Sequence, residues 1–168
     1  MSTPPGRDSA PAADPRRDTT KRTYGFAEWP GRDGAPLSGL FLPEHRELPG
    51  LTFDRRHPLP DTRAFLDQLV GPSGQYVSVW VHQYPTAGDA HEALVDQLLT
   101  SMAPRLPRCT ERGLEAIGDV CFCGLADPVA SVLFVRANVL VTVEDLGDTH
   151  AAVTEVATEL DRQITLST

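Results

Sequence analysis

The stretch PVASVLFVRANVLVTVEDLGDTHAAVTEVATELDRQIT, residues 128–165, decides the fold. Residues 130–136 and 139–145 are β-branched and apolar and flank Ala137-Asn138. Asn tolerates a positive φ, so a tight turn there is expected. A two-residue loop pairs Arg136 with Val139, Val135 with Leu140, Phe134 with Val141, Leu133 with Thr142, Val132 with Val143 and Ser131 with Glu144. Side chains alternate across a strand. One face therefore carries Val132, Phe134, Val139, Val141 and Val143 and belongs to a core. The other, with Ser131, Leu133, Val135, Leu140, Thr142 and Glu144, is mixed and suits a half-wet surface or a groove.

After Gly147, Asp148 or Thr149 offers a helix cap. Val153, Val156, Ala157, Leu160 and Ile164 then recur on one stripe of an amphipathic helix, which should lie on the valine face.

Working outward, residues 75–84 form the clearest strand of the first half. Val77, Val79 and Val81 point one way; Tyr76, Ser78, Trp80, His82 and Tyr84 point the other. Pro85 ends it, and Thr86 with Asp89 forms a capping-box-like pair. Ala90, Leu94, Leu98 and Met102 give a second amphipathic helix. Residues 115–123 read as another strand. Residues 61–70 read as a short helix with Ala64, Phe65 and Leu69 buried. Residues 23–60, broken by Pro and Gly, read as a meander of short strands at 23–29, 37–42 and 51–55. Residues 1–22 hold no large apolar side chain after Met1, so a disordered tail is expected, with residues 23–168 as a single domain. The expected fold is α+β, an α/β sandwich in which an antiparallel sheet carries helices on at least one face.

At 168 residues the chain has room for one real core. The net charge of -8 divides into +2 on residues 1–22 and -10 on the rest. An acidic body repels phosphates, so nucleic acid is not an expected partner. No apolar run is long enough for a membrane span, and no apolar leader follows Met1, which makes a cytoplasmic location the expectation. Three cysteines, Cys109, Cys121 and Cys123, make no disulfide framework and fit a reducing compartment.

Ile117-Gly118-Asp119-Val120, the paired strands around Arg136-Ala137-Asn138 and the closing helix resemble small Mog1/PsbP-like α/β domains, including actinobacterial lipoprotein ectodomains. The similarity covers roughly residues 74–165 and is one of layout. It implies a non-catalytic binding or accessory domain and carries over no specific functional residue.

Chemistry-bearing motifs are sparse. There is no Walker loop, G-x-G-x-x-G or G-x-S-x-G, and H-E-x-x-H fails because Val95 follows His91-Glu92. Cys121 and Cys123 share one strand face about 6.5–7 Å apart, unsuited to a mutual disulfide. With Cys109 or His82 they are the candidate metal or thiol site, weighed against burial as small hydrophobes. Asp119 after Gly118 reads as a turn or cap residue. The row Tyr76, Trp80, His82 and Tyr84 is the candidate ligand or partner surface, weighed against cover by a helix or by residues 23–60. The leading reading is a non-enzymatic module that binds a protein or small molecule without a cofactor. The alternatives are a small metal- or thiol-dependent protein or enzyme using Cys121 and Cys123, and an oligomerisation piece acting through an open sheet edge.

Overall fold

The computed structural model describes residues 14–46, 48 and 50–168. Six antiparallel strands form one sheet in the order β1-β2-β3-β6-β5-β4. They are β1 (Thr52–Pro58), β2 (Ala64–Val70), β3 (Tyr76–Gln83), β4 (Val120–Cys123), β5 (Ser131–Arg136) and β6 (Val139–Asp145). Helices α1 (Pro15–Thr23), α2 (Ala87–Thr100) and α3 (Val153–Leu166) pack around it. This is the α+β architecture the sequence calls for.

The hairpin β5–β6 has the register expected from its two-residue loop, from Ser131 opposite Glu144 to Arg136 opposite Val139. Its valine face joins Val77, Val79 and Val81 of β3 and the α3 stripe in one core. On that side α3 covers β5 and β6, while Leu37, Phe41 and Leu48 of the irregular segment before β1 join the same core. The opposite face of β4, β5 and β6 packs on Leu94, Val95 and Leu98 of α2, with Tyr24 and Trp29 closing the cluster. Helices thus lie on both faces.

Two local devices hold the hairpin. Gly118 has φ +68°, and a Cβ there would lie 2.5 Å from the Val135 carbonyl, so the close approach admits glycine alone. Asp119 next to it accepts from the Ala137 N–H at 2.8 Å and from Arg136 Nη1 at 3.0 Å. It is the turn residue its position suggested. Arg136 continues to Asp161 of α3 through Nε at 2.7 Å and Nη2 at 2.9 Å, tying the turn to the closing helix.

Several expectations need correction. Residues 64–70 are strand β2, not a helix. Phe65, Asp67 and Leu69 alternate inward, and an acid at the middle inward position hides the period-two pattern. Residues 15–22, assigned to the tail, form α1 together with Thr23, and Asp14 caps it, its carboxylate accepting from the Arg16 N–H at 2.9 Å. No residue of α1 is buried; Arg17 and Lys21 bind Glu92 of α2 instead. The rest of the expected tail, residues 1–13, lies outside the described residues. Residues 23–29 end α1 and form a 3₁₀ turn at Phe26–Glu28, and residues 37–42 form no strand. Helix α2 keeps its cap, with Thr86 Oγ1 accepting from the Asp89 N–H at 3.1 Å, but stops at Thr100, leaving Met102 outside. Helix α3 starts at Val153, beyond both proposed caps.

Candidate functional site

Helix α2 packs over β5 and β6, and among the described residues no helix covers the same face of β1, β2 and β3. Trp80 stands where that cover stops. It lies on β3 between Leu66 of β2 and Thr142 of β6, and it is 40 % exposed, against 3 % for Trp29. A cleft of about 400 Å³ runs beside it, with Gln97 and Thr100 of α2 on one wall and Leu133, Thr142 and Glu144 on its floor. Thr142 Oγ1 donates to Gln97 Oε1 at 2.9 Å, fixing the wall to the floor. The mixed face of the hairpin therefore does line a groove.

The other residues of the aromatic row have different surroundings. The His82 and Tyr84 rings stack 3.9 Å apart, and Tyr84 packs on the α2 core. Burial pushes the His82 imidazolium toward its neutral form. Burial, helped by the Asp96 carboxylate, raises the Tyr84 hydroxyl. Both are neutral near pH 7 and present no charge to a partner. Tyr76 is half-buried at the far end of β3. Of the four, Trp80 alone lines the cleft. Ser78, on the same face, is buried, and its hydroxyl has no hydrogen-bond partner among the described residues.

The cysteines are arranged differently from expectation. Cys109 and Cys121 form a disulfide, with Cα atoms 5.7 Å apart. The 3₁₀ turn Cys109–Arg112 lies along the outer edge of β4, where Arg108 bridges to Phe122 and Cys123 donates its N–H to the Pro107 carbonyl at 3.1 Å. That contact carries Cys109 across from Cys121, a proximity no spacing in the sequence announces. Cys121 is thereby removed as a thiolate ligand, and the chain does not carry the three free thiols expected of a reducing compartment. Cys123 is free and buried, and burial pushes its thiol up. No group of three His, Cys, Asp or Glu side chains fit to hold a metal occurs among the described residues.

A second polar site was not visible in the sequence. Asp67 is fully buried on β2, on the face opposite Trp80. Its carboxylate accepts from Arg56 Nε at 2.6 Å and Nη2 at 2.7 Å, and lies 2.6 Å from His45 Nε2. Burial opposes its charge, but the hydrogen bonds from Arg56 and His45 outweigh that and hold its carboxyl below the usual carboxylate range. Three residues scattered between positions 45 and 67 meet because β1 pairs Arg56 with Asp67 in register.

No family model, no curated protein and no solved structure matches the chain, so the meaning of these sites rests on their own residues.

Proposed function

We propose that this domain is a non-enzymatic binding module that receives a protein partner on the sheet face beside α2. The observation that carries the reading is Trp80, a large indole on an inner strand, left 40 % exposed beside a cleft. Fully burying such a side chain against a partner is the commonest source of interface energy. Glu144 in the cleft and the acidic body favour a segment that offers apolar and basic side chains, with the indole face available to a cation.

Pairing through a sheet edge has less support. Residues 107 and 108 bond to the outer edge of β4. The other edge, β1, carries a register shift between Phe53 and Arg55, charged residues at 54–56 and a terminal Pro58, all features that discourage strand addition.

The test is capture of partners from the native host by the intact protein, set against Trp80→Ala and a Trp80→Ala/Tyr84→Ala variant whose folding is checked by circular dichroism. Loss of a partner with Trp80→Ala supports the surface. A partner retained by the folded double variant removes it.

A further inference from the structure

The face of the sheet opposite Trp80 holds a cleft of about 540 Å³ between β1 and residues 43–46, a size typical of small-molecule sites. On this face α3 covers β5 and β6, and the irregular segment before β1 continues the cover. Phe53 lies where that cover ends. Its ring stacks on His45, 5.6 Å between centroids and 12° from parallel, yet the residue stays 43 % exposed. Pro43 and the partly buried Leu51 extend it into an apolar wall. A single exposed apolar residue is ordinary on a surface, but a phenyl ring that continues into a cleft with two further apolar residues makes a wall of ligand size.

Arg56 and Arg46 supply the polar side of the cleft. Arg56 gives the Nε–Nη2 edge of its guanidinium to Asp67, at 2.6 and 2.7 Å, and Nη2 also reaches the Pro43 carbonyl at 3.4 Å. The group lies over the Phe65 ring, 4.2 Å from its centroid, so it is fixed before any ligand arrives. Nη1, on the side away from the Asp67 carboxylate, makes no hydrogen bond to a described residue. Arg46 is looser: its pair with Glu44 is 4.0 Å long, and both side chains stand largely in solvent. Glu44 is the one carboxylate among the described residues that line the cleft. The cleft thus combines unfilled guanidinium N–H groups with a flat apolar wall.

We propose that this cleft binds a small aromatic carboxylate, its carboxylate on Arg56 Nη1 and Arg46 and its ring against Phe53 and Leu51. Guanidinium groups match a carboxylate in shape, and the charge-assisted hydrogen bonds they form are among the stronger ones. The apolar wall favours an organic body over a simple anion. Asp67 offsets the charge of Arg56 and Glu44 opposes an anion at the rim, so affinity needs the ring and the carboxylate together. This site is independent of the Trp80 surface.

Calorimetric titration of the full chain with benzoate, benzamide and acetate tests it. The expected result is saturable binding of benzoate at about 1 mM, ordinary for a ligand of this size. Benzamide, which lacks the charge, and acetate, which lacks the ring, should each bind about tenfold more weakly. In the wild-type protein, NMR should show contacts from the benzoate ring protons to Phe53 and Leu51. Arg46→Ala, at a side chain largely in solvent, should weaken benzoate about threefold and leave benzamide unchanged, and Glu44→Gln should strengthen benzoate about twofold. Trp80→Ala should change none of these values. No saturable heat up to about 10 mM, equal affinity for benzoate and benzamide, ring contacts to Trp80 in place of Phe53, or benzoate binding indifferent to both Arg46→Ala and Glu44→Gln would overturn the proposal.

Discussion

The Asp119 carboxylate accepts a hydrogen bond from the backbone N–H of Ala137 at 2.8 Å, across 18 residues of sequence. Ala137 has φ +51°, a left-handed conformation that L side chains avoid. The turn joining β5 to β6 is thus held in a conformation its own sequence does not favour. Ala137→Gly should relieve that strain at some cost in unfolded-chain entropy, for a net gain of up to about 1 kcal/mol. Asp119→Ala leaves the Ala137 N–H unpaired and deprives Arg136 of one of two carboxylates, and should lose about 1–3 kcal/mol. Urea denaturation of both variants measures the two effects. An Ala137→Gly protein less stable than wild type would show that the turn is not strained.

Asp67 makes the protein sensitive to acid. Its folded-state carboxyl titrates below its ordinary value of 3.8 because Arg56 and His45 hydrogen-bond to the ionised form against the opposing effect of burial. A depressed carboxylate contributes stability above its unfolded-state pKa, and that contribution is lost as pH falls through the folded value. Stability should therefore drop steeply as pH falls below about 4. Asp67→Asn should cost about 3 kcal/mol at neutral pH by breaking a buried ion pair, and should flatten this acid limb. Denaturation midpoints from pH 7 to pH 2 decide it; an equally steep limb in the variant would assign the acid loss elsewhere.

Much of the sheet is legible in the chain because its strands alternate cleanly. The β5–β6 register, the valine face and the α3 stripe follow from period and turn alone. Strand β2 does not, because Asp67 occupies an inward position where the pattern demands an apolar residue. The residues that neutralise it, His45 and Arg56, lie in a segment with no periodicity. Helix α1 escapes for a related reason. It buries no side chain, so it carries no apolar stripe, and it is held by Glu92 and Asp96, which lie 71 to 79 residues from their partners Lys21 and Arg17. The exposure of Trp80 is likewise set by where α2 ends, which only the packing of α2 against β5 and β6 reveals.

The three cysteines should count differently in three states. In the native protein Cys123 is buried with its thiol pushed up by burial, and Cys109 and Cys121 are joined, so a thiol reagent should find none. After unfolding without reductant it should find one per chain, and with reductant all three. A Cys109→Ala/Cys121→Ala variant should lose about 2–3 kcal/mol, the loop-closure value for a bridge across 12 residues. Three reactive thiols on unfolding without reductant would show that the bridge does not form.

The attachment of α1 to α2 should weaken in salt while the sheet does not. Arg17 Nη2 and Lys21 Nζ lie 2.6 and 2.7 Å from the Glu92 carboxylate, and Arg17 also pairs with Asp96. Burial opposes the charge of Glu92, but the hydrogen bonds from Lys21 and Arg17 outweigh it and keep its carboxyl below the ordinary range. These groups are partly exposed, so each pair is worth at most about 1 kcal/mol and is screened at high ionic strength. Just beyond the helix the attachment changes character. The Tyr24 hydroxyl accepts from the Leu106 N–H at 2.9 Å, its ring meets Phe122 edge-on at 5.1 Å, and Trp29 Nε1 donates to its carbonyl at 2.9 Å. Those contacts are apolar or buried and indifferent to salt. Hydrogen exchange in 1 M sodium chloride should therefore accelerate for amides of residues 17–22 and stay unchanged at Leu106, Phe134 and Val141. Glu92→Gln at low salt should reproduce the same pattern. Acceleration that spreads to Leu106 would mean that α1 and the Tyr24 anchor open as one unit, with the charge pairs controlling both.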